Sequence, residues 1–209
     1  MADFTYLLRP KIFDDFVGQP HLSSQDSPLR RLLQNAQMPH SFFYGPPGCG
    51  KTTLARIIAN ELDAPFYEFN ATSVKIDQLR KIFTQYENAL QKPLIFIDEV
   101  HRLAKNQQEV LLPVMENNTV LVIGASTENP YFSLTAAMRS RSMLFELKAH
   151  TDDDLLALAK RACDKEKLFL HEDAMKYLVV SSNGDARAML KLLEFVSVGK
   201  NEISLEDLK

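Results

Sequence analysis

The chain has 209 residues, 45% of them hydrophobic, and a formal net charge of −3. This length and composition fit one large domain or a domain with a small satellite, and they exclude a disordered chain. The negative charge excludes a generally basic nucleic-acid coat, so a nucleic-acid contact would need local patches such as Arg30-Arg31 or Lys160-Arg161. Solvated helix faces are the simpler interpretation of both patches.

Cysteine content and hydropathy predict the cellular compartment. The chain has two cysteines, Cys49 and Cys163, which is too few for a disulfide scaffold. Its start has no secretory pattern, and no stretch approaches the ~18 apolar residues that a membrane span needs. We therefore expect a cytoplasmic protein that makes no contact with a membrane.

The first two-thirds of the chain alternate short apolar runs with helical spacing, the pattern of a parallel sheet covered by helices. Strands are predicted over residues 41–44, 66–69, 94–97, 120–125 and 143–147. Helices are predicted over 53–62, along the apolar positions between Ile76 and Leu90, and over 107–116, where Pro113 should kink or shorten the helix. The expected fold is α/β, with a five-stranded parallel sheet.

From Thr151 onward the pattern predicts helices only. Thr151 and the acidic residues after it form a helix start, and further helices are predicted over 173–181 and 189–196. We therefore divide the chain into a nucleotide-binding α/β domain, residues 1–148, and a small all-helical lid, residues 149–209. Ser204 begins another helix start that is too close to the end for a stable helix, so we expect the chain to be a fragment.

Residues 45–52, GPPGCGKT, fit the phosphate-loop pattern G-x-x-x-x-G-K-[ST] at every fixed position. A predicted strand precedes them and a predicted helix follows, which is the context that the pattern requires. Glycines let backbone N–H groups turn toward a phosphate, and the helix N-terminus adds its positive end. Lys51 is expected to reach the β- and γ-phosphates of a nucleotide, and the Thr52 hydroxyl to hold Mg²⁺.

Asp98 and Glu99 close the apolar run 94–97. Ligands bind at the carboxyl ends of strands in such sheets, so Asp98 is positioned for Mg²⁺ and Glu99 for polarising an attacking water. Solvated acids at a strand end are the common alternative. The phosphate loop upstream favours the catalytic interpretation.

Three more residues occupy positions that folding alone explains poorly. Thr127 follows the fourth strand and is either a ligand of the attacking water or an ordinary turn threonine. Arg141 precedes the fifth strand and is either a finger for a neighbour's phosphate or a strand-edge gatekeeper. Arg187 lies in the first turn of a predicted helix, where a cation opposes the helix dipole; a bound anion would explain it, and a pair with Asp185 is the alternative.

Four stretches carry a resemblance to a known family: RPKIFDDFVGQ from Arg9, GPPGCGKTTLA, FIDEVHRLAKNQQEVLLPVMEN and VIGASTENPYFSLTAAMRSR. They resemble the clamp-loader clade of AAA+ ATPases, and more narrowly the replication-associated recombination protein A family, relatives of the Werner-helicase-interacting ATPase. The last stretch is the most specific, because clamp loaders and Holliday-junction motors share only the general layout. The resemblance runs from about Leu8 to the end.

The resemblance implies a role for each matching residue. Glu99, Lys51, Thr127, Arg141 and Arg187 are implied to be catalytic, with Thr127 as sensor 1, Arg141 as a finger acting in trans and Arg187 as sensor 2. An insertion leaves Asn129 open as the sensor 1 residue. ATP or ADP is implied to bind Pro10, Val17, Gly18, Pro47, Gly48, Cys49, Gly50, Lys51, Thr52, Thr53 and Arg187, with Mg²⁺ on Thr52 and Asp98. Cys49 replaces the family's usual threonine; its position contributes mainly backbone, so we expect a small effect.

The resemblance also implies partners. Family members act on DNA with forks, single strands or ends, some with single-stranded-DNA-binding protein, and form tetramers through a further C-terminal region. That region is missing here, so this chain is expected to be mainly monomeric and a slow ATPase. A DNA-associated ATPase for stalled replication forks is the leading prediction. A clamp-loader-like or Holliday-junction-motor subunit is the alternative, and a nucleotide-binding subunit without turnover is disfavoured by Lys51, Glu99 and Arg141.

Overall fold

The central sheet has five parallel strands in the order β2-β3-β4-β1-β5. The computed structural model describes residues 3–209. The strands are β1 His40–Tyr44, β2 Phe66–Asn70, β3 Leu94–Asp98, β4 Leu121–Ser126 and β5 Ser142–Glu146. The prediction of an α/β fold with a five-stranded parallel sheet is confirmed.

Helices precede, connect and follow these strands. They are α1 Phe4–Leu7, α2 Pro20–Ser23, α3 Pro28–Gln34, α4 Lys51–Glu61, α5 Ile76–Tyr86, α6 Lys105–Glu116, α7 Ala136–Arg139, α8 Asp152–Glu166, α9 Glu172–Ser181 and α10 Ala186–Val196. Short 3₁₀ turns lie at Phe13–Asp15, Val100–Arg102, Pro130–Phe132 and Leu205–Leu208. Of the helices in residues 3–209, none is both long enough and apolar enough to cross a membrane.

Two apolar clusters cover the two faces of the sheet. Neighbouring strand residues point to opposite faces, so Phe43 and Phe96 pack with α4 on one side while Phe42 and Ile95 pack with α5 and α6 on the other. Burial on both faces is why the central strands read as continuous apolar runs. It also leaves the carboxyl ends of the strands as the place where polar side chains emerge together.

A third cluster lies among α8, α9 and α10. Phe4 of α1 is buried in it, and the Phe4 N–H donates to the Glu194 carboxylate at 3.2 Å. The Lys165 ammonium donates to the Leu7 carbonyl at 2.7 Å. The beginning of the described chain is therefore packed against its helical end.

Several local predictions need correction. The region after Thr151 is not purely helical, because β6 Phe169–Leu170 and β7 Glu202–Ile203 form a small parallel pair. The segment after Ser204 does form a short 3₁₀ turn. The Ser204 N–H donates to the Asp207 carboxylate at 2.9 Å. The predicted helix from Ile76 ends at Tyr86, leaving Leu90 exposed, and α6 runs through Pro113 to Glu116 without being shortened.

Candidate nucleotide site

The predicted phosphate loop connects β1 to α4 at the carboxyl edge of the sheet. Gly48 and Gly50 have positive φ, 68° and 99°, which a glycine adopts at little cost. A Cβ on Gly48 would lie 1.8 Å from Asp185 Oδ1. The Gly45 N–H donates to the Ser126 carbonyl at 3.2 Å and ties the loop to the end of β4. Glycine is thus needed for both backbone conformation and close approach.

The Lys51 side chain is buried within this loop. Its ammonium donates to the carbonyls of Gly45 and Pro46, both at 2.7 Å. Because α4 begins at Lys51, the N–H groups of its first turn have no partner inside the helix. The loop therefore combines a cation and free backbone donors on one side of the sheet edge, the arrangement that an anion requires.

The acidic pair follows β3 directly. The Glu99 N–H donates to Asp98 Oδ1 at 3.0 Å, and Glu99 has a left-handed φ of 54°. A non-glycine residue in this conformation carries strain, which is concentrated at functional sites. The Glu99 carboxylate lies 3.3 Å from His101 Nε2 and 4.0 Å from Arg102 Nε.

The strand order explains why these motifs meet. β4 lies between β3 and β1, so Thr127 after β4 comes between the acidic pair and the phosphate loop. Thr127 lines the cleft. Asn129 instead caps the 3₁₀ turn that follows, where its side-chain oxygen accepts the Tyr131 N–H at 3.0 Å. Of the two sensor 1 candidates, Thr127 is therefore the one that faces the cleft.

The loop, Asp98, Glu99 and Thr127 form the sheet wall of a cleft with a volume of about 200 Å³. The opposite side, which we call the helical wall, consists of His150, Leu158, Arg161, Ala186, Arg187 and Leu190. Twelve of the predicted site residues line this cleft: Pro10, Val17, Pro47, Gly48, Gly50, Lys51, Thr52, Thr53, Asp98, Glu99, Thr127 and Arg187. Motifs far apart in sequence thus come together in one cavity.

Arg187 lies in the first turn of α10, with Asp185 as the helix cap. The Asp185 carboxylate accepts the Ala188 N–H at 2.9 Å, and no ion pair joins it to Arg187 in the part of the chain that the structure describes. The alternative interpretation, a surface arginine paired with Asp185, therefore finds no support. Arg187 presents a cation to the cleft from the side opposite Lys51.

Three predicted site residues do not line the cleft. Gly18 lies just outside it, where a Cβ would be 2.9 Å from His150 Nδ1. The Cys49 side chain is completely buried in the core and burial raises the pKa of its thiol, so this position contributes packing as well as backbone. Arg141 lies elsewhere on the surface.

Arg141 directly precedes β5, which is an edge strand. Its guanidinium forms an ion pair with Glu116 and donates to the Ala137 carbonyl at 3.0 Å. Both partners of the ion pair are partly exposed, so the pair contributes about 0–1 kcal/mol and the arginine can be released at little cost. Its position is compatible with either predicted role, finger or gatekeeper.

Sequence reasoning missed several lining residues, chiefly Arg9 and His150. Burial, followed by the charge of Arg56, lowers the pKa of Arg9 below its usual value. Burial also lowers the pKa of His150, whose Nδ1 has no hydrogen-bond partner within residues 3–209. Arg9 stands next to the predicted Pro10 and could have been found by that adjacency. His150 follows the last strand and carries no motif.

These residues fit a magnesium nucleotide. The Thr52 hydroxyl and the Asp98 carboxylate are the oxygen ligands that Mg²⁺ prefers, and both line the cleft. Lys51 and Arg187 supply positive charge from the two walls. His150 Nδ1 lies 3.9 Å from the Asp154 carboxylate and makes no hydrogen bond within residues 3–209, so it is a buried polar atom that a ligand could satisfy.

Curated relatives resemble this chain over nearly its whole length. It is 38% identical to replication-associated recombination protein A of Haemophilus influenzae, over 90% of this chain and 45% of that protein. It is 36% identical to ATPase WRNIP1 of Dictyostelium discoideum, over 96% of this chain and 24% of that protein. The chain thus spans less than half of these relatives. They confirm the resemblance predicted from the sequence.

Among solved structures, the RuvB Holliday junction branch migration motor of Thermotoga maritima superimposes with a TM-score of 0.81 at 29% identity, covering 96% of this chain and 70% of that one. The family model described as "ATPase family associated with various cellular activities (AAA)" matches residues 41–151, more than half of the chain. That segment contains the phosphate loop, the acidic pair and Thr127. The chain belongs to the AAA family of ATPases.

Proposed function

We propose that this chain binds ATP with Mg²⁺ in the cleft and that the assembled protein hydrolyses it to ADP and phosphate. The observation that carries the proposal is the convergence of Lys51, Thr52, Asp98, Glu99 and Arg187 on one cavity. A solvated strand end or a chance glycine turn would not require this convergence. Membership of an ATPase family supports the same reaction.

The proposed roles follow from charge and position. Lys51 and the N–H groups of the loop bind the phosphates, and Arg187 neutralises the γ-phosphate from the helical wall. Thr52 and Asp98 would hold Mg²⁺, which supplies charge neutralisation for the leaving phosphate. Glu99 accepts a proton from the attacking water, and Thr127 orients that water. Pro10, Val17 and the neighbouring Gly18 border the adenine.

We further propose that residues 1–148 bind the nucleotide while residues 149–209 form a lid over it. In this arrangement Arg141 serves the site of a neighbouring copy, so hydrolysis takes place between subunits of a homo-oligomer, which we propose to be a tetramer. Two observations support this: Arg141 lies outside its own cleft, and the ion pair and hydrogen bonds that hold it are partly exposed to solvent. This chain alone is expected to bind nucleotide as a monomer and to hydrolyse it slowly.

The biological role we propose is maintenance of replication forks and recombination, in the cytoplasm, on branched, single-stranded or end-containing DNA and with single-stranded-DNA-binding protein. Relatives from Haemophilus influenzae and Bacillus subtilis are named replication-associated recombination protein A. A Holliday-junction motor is the second candidate, favoured by the structural likeness to RuvB. A clamp-loader-like subunit is a third. ATPase rates measured with forked DNA, four-way junctions, nicked duplex and a sliding clamp separate these functions.

Paired substitutions on the sheet wall test the nucleotide chemistry. Lys51→Ala should remove most nucleotide affinity, because the phosphates lose their main counter-charge. Glu99→Gln should keep binding but slow hydrolysis by ~10²–10⁴-fold, since only proton transfer from water is lost. Fluorescent-nucleotide titration and single-turnover hydrolysis measure the two effects. Normal turnover of Glu99→Gln would refute the assignment of the catalytic carboxylate.

A further inference from the structure

His101 joins the proposed catalytic glutamate to the tip of the neighbouring strand. His101 Nε2 lies 3.3 Å from Glu99 Oε2, and Nδ1 lies 2.8 Å from the hydroxyl of Ser126, the last residue of β4. The imidazole is largely buried, with a side-chain exposure of 12%. Both ring nitrogens therefore have a defined partner at the sheet edge.

The partners of the two ring nitrogens favour one tautomer of the neutral imidazole. The Ser126 hydroxyl oxygen accepts the Glu128 N–H at 3.0 Å and can donate its own proton to His101 Nδ1. With Nδ1 as the acceptor, Nε2 carries the ring hydrogen and lies 3.3 Å from the Glu99 carboxylate. In the opposite tautomer a lone pair would face the negative carboxylate.

We propose that His101 is a positioning residue that holds the Glu99 carboxylate in place by linking it to the end of β4. The proposal rests on the proposed ATPase function of this site. It gives a physical reason for the left-handed backbone at Glu99, because the strained conformation needs contacts that hold the side chain. It also couples Glu99 to Thr127, since Thr127 is the residue next to Ser126.

Two substitutions of His101 separate its contact with Glu99 from its hydrogen bond to Ser126. His101→Gln places an amide close to Nε2, so it can still reach Glu99. His101→Asn places an amide close to Nδ1, so it reaches Ser126 but not Glu99. We expect His101→Asn to lower kcat about tenfold, because correct positioning of Glu99 accounts for part of the ~10²–10⁴-fold rate acceleration that a general base provides. We expect His101→Gln to keep most of the kcat of the unsubstituted protein, and both variants to leave nucleotide affinity unchanged.

The matched control is His171→Asn. His171 is an exposed histidine of the helical region whose Nε2 also contacts a carboxylate, Glu202, at 3.0 Å. Its substitution should not change kcat. A double variant, Glu99→Gln with His101→Asn, should be no slower than Glu99→Gln alone, because His101 acts through the carboxylate. Thermal unfolding of each variant verifies folding.

Ring ¹⁵N NMR of the 209-residue chain reads the tautomer without any turnover. We expect His101 protonated at Nε2, and a shift toward the other tautomer in Ser126→Ala. A neutral ring protonated only at Nδ1 in the unsubstituted chain would overturn the proposal, as would a folded His101→Asn with unchanged kcat while Glu99→Gln is slowed as expected. If the unsubstituted protein hydrolyses no ATP in any assembly state, the proposed function fails, and the NMR result alone decides the role of His101.

Discussion

The sheet wall of the cleft holds its functional side chains at or just after strand ends, whereas the helical wall holds them on α8, α10 and the segment that leads into α8. Asp98 ends β3, Thr127 directly follows β4, and the phosphate loop joins β1 to Lys51, so their positions depend on local chain geometry and strand order. Arg187 and His150 reach the cleft only because α8 and α10 pack against each other and the chain between β5 and α8 passes beside Gly184. One wall is thus built by local geometry and the other by packing.

This difference has a consequence for regulation of the site. The helices of the helical wall pack in a separate apolar cluster, so a movement of these helices relative to the sheet would open neither sheet core. Few side-chain bonds cross between the regions; one is the Arg161 guanidinium, which donates to the Asp15 carbonyl at 2.7 Å. The sheet wall would determine whether chemistry takes place, and the helical wall how tightly the nucleotide is enclosed.

The largest effect is expected from Arg141, which belongs to neither wall. Arg141→Ala should leave nucleotide affinity unchanged and lower hydrolysis by the assembled protein by ~10³-fold or more, as for an arginine finger supplied in trans. Mixing Arg141→Ala with Lys51→Ala subunits should restore part of the rate, because some interfaces then combine an intact site with an intact finger. Steady-state ATPase assays measure both results.

The control for Arg141 is Arg80→Ala, which removes an exposed arginine of α5 that pairs with Asp77 at 3.8 Å. Its rate should equal that of the unsubstituted protein. If mixed oligomers form and no activity returns, Arg141 does not act in trans, and the strand-edge role remains.

A smaller effect is expected from Arg187 on the helical wall. Arg187→Ala should weaken ATP binding by roughly 10- to 100-fold, because a charged hydrogen bond contributes ~1.5–3 kcal/mol. ADP binding should change less, since ADP has no γ-phosphate. Calorimetric titration with both nucleotides measures the difference, and Lys191→Ala, an exposed cation on the same helix, is the control. An equal loss for ATP and ADP would contradict the γ-phosphate role.

A substitution at Gly48 tests the contact between the two walls. Gly48 has a positive φ, and Asp185 of the helical region leaves no space for a Cβ at this position. Gly199 has a similar φ of 73°, but a Cβ there would have nothing within 4 Å, so Gly199→Ala measures backbone strain alone. That strain should cost ~1–2 kcal/mol of unfolding free energy. Gly48→Ala should cost ~1–3 kcal/mol more because of overpacking. Denaturant unfolding gives both values. Equal costs for the two variants would show that Asp185 moves aside without a measurable loss of stability.

The smallest effect is the pH dependence of two buried histidines, one in each region. Burial lowers the pKa of both His40 and His150 in the folded protein. The unfolded state therefore takes up protons first, so stability should be complete above the unfolded pKa of ~6.5 and should fall as pH drops through the folded pKa values. Denaturant unfolding between pH 8 and about 5 measures this fall.

The two histidines should respond differently to substitution. His40 Nδ1 accepts the Val122 N–H at 3.1 Å and Nε2 contacts the Met115 carbonyl at 3.0 Å, so His40→Gln should cost stability at every pH. His150→Gln should flatten the pH dependence at less cost, because His150 Nδ1 has no hydrogen-bond partner in residues 3–209 and only a long contact, 3.9 Å, with the Asp154 carboxylate. A steeper pH dependence in His150→Gln would contradict this.

Much of the sheet wall could be predicted from the chain alone. Short apolar runs identified all five strands within a residue or two. The runs are clearest for the three central strands, since a doubly covered parallel strand needs apolar side chains on both faces. The phosphate loop and the acids after β3 followed from motifs whose spacing the chemistry dictates. The errors were local: β6 and β7 have two residues each, too few to show any periodicity.

Sequence by itself determined which residues end each strand of the central sheet, and therefore which polar groups stand at its carboxyl edge. Tertiary structure alone decided the rest. It placed β4 between the loop and the acids, turned the Cys49 side chain into the core, brought Arg9 and His150 to the cleft, and joined Glu99 to Ser126 through His101. The physical reason is that these contacts join distant segments through packing, and packing leaves no periodic pattern in the chain.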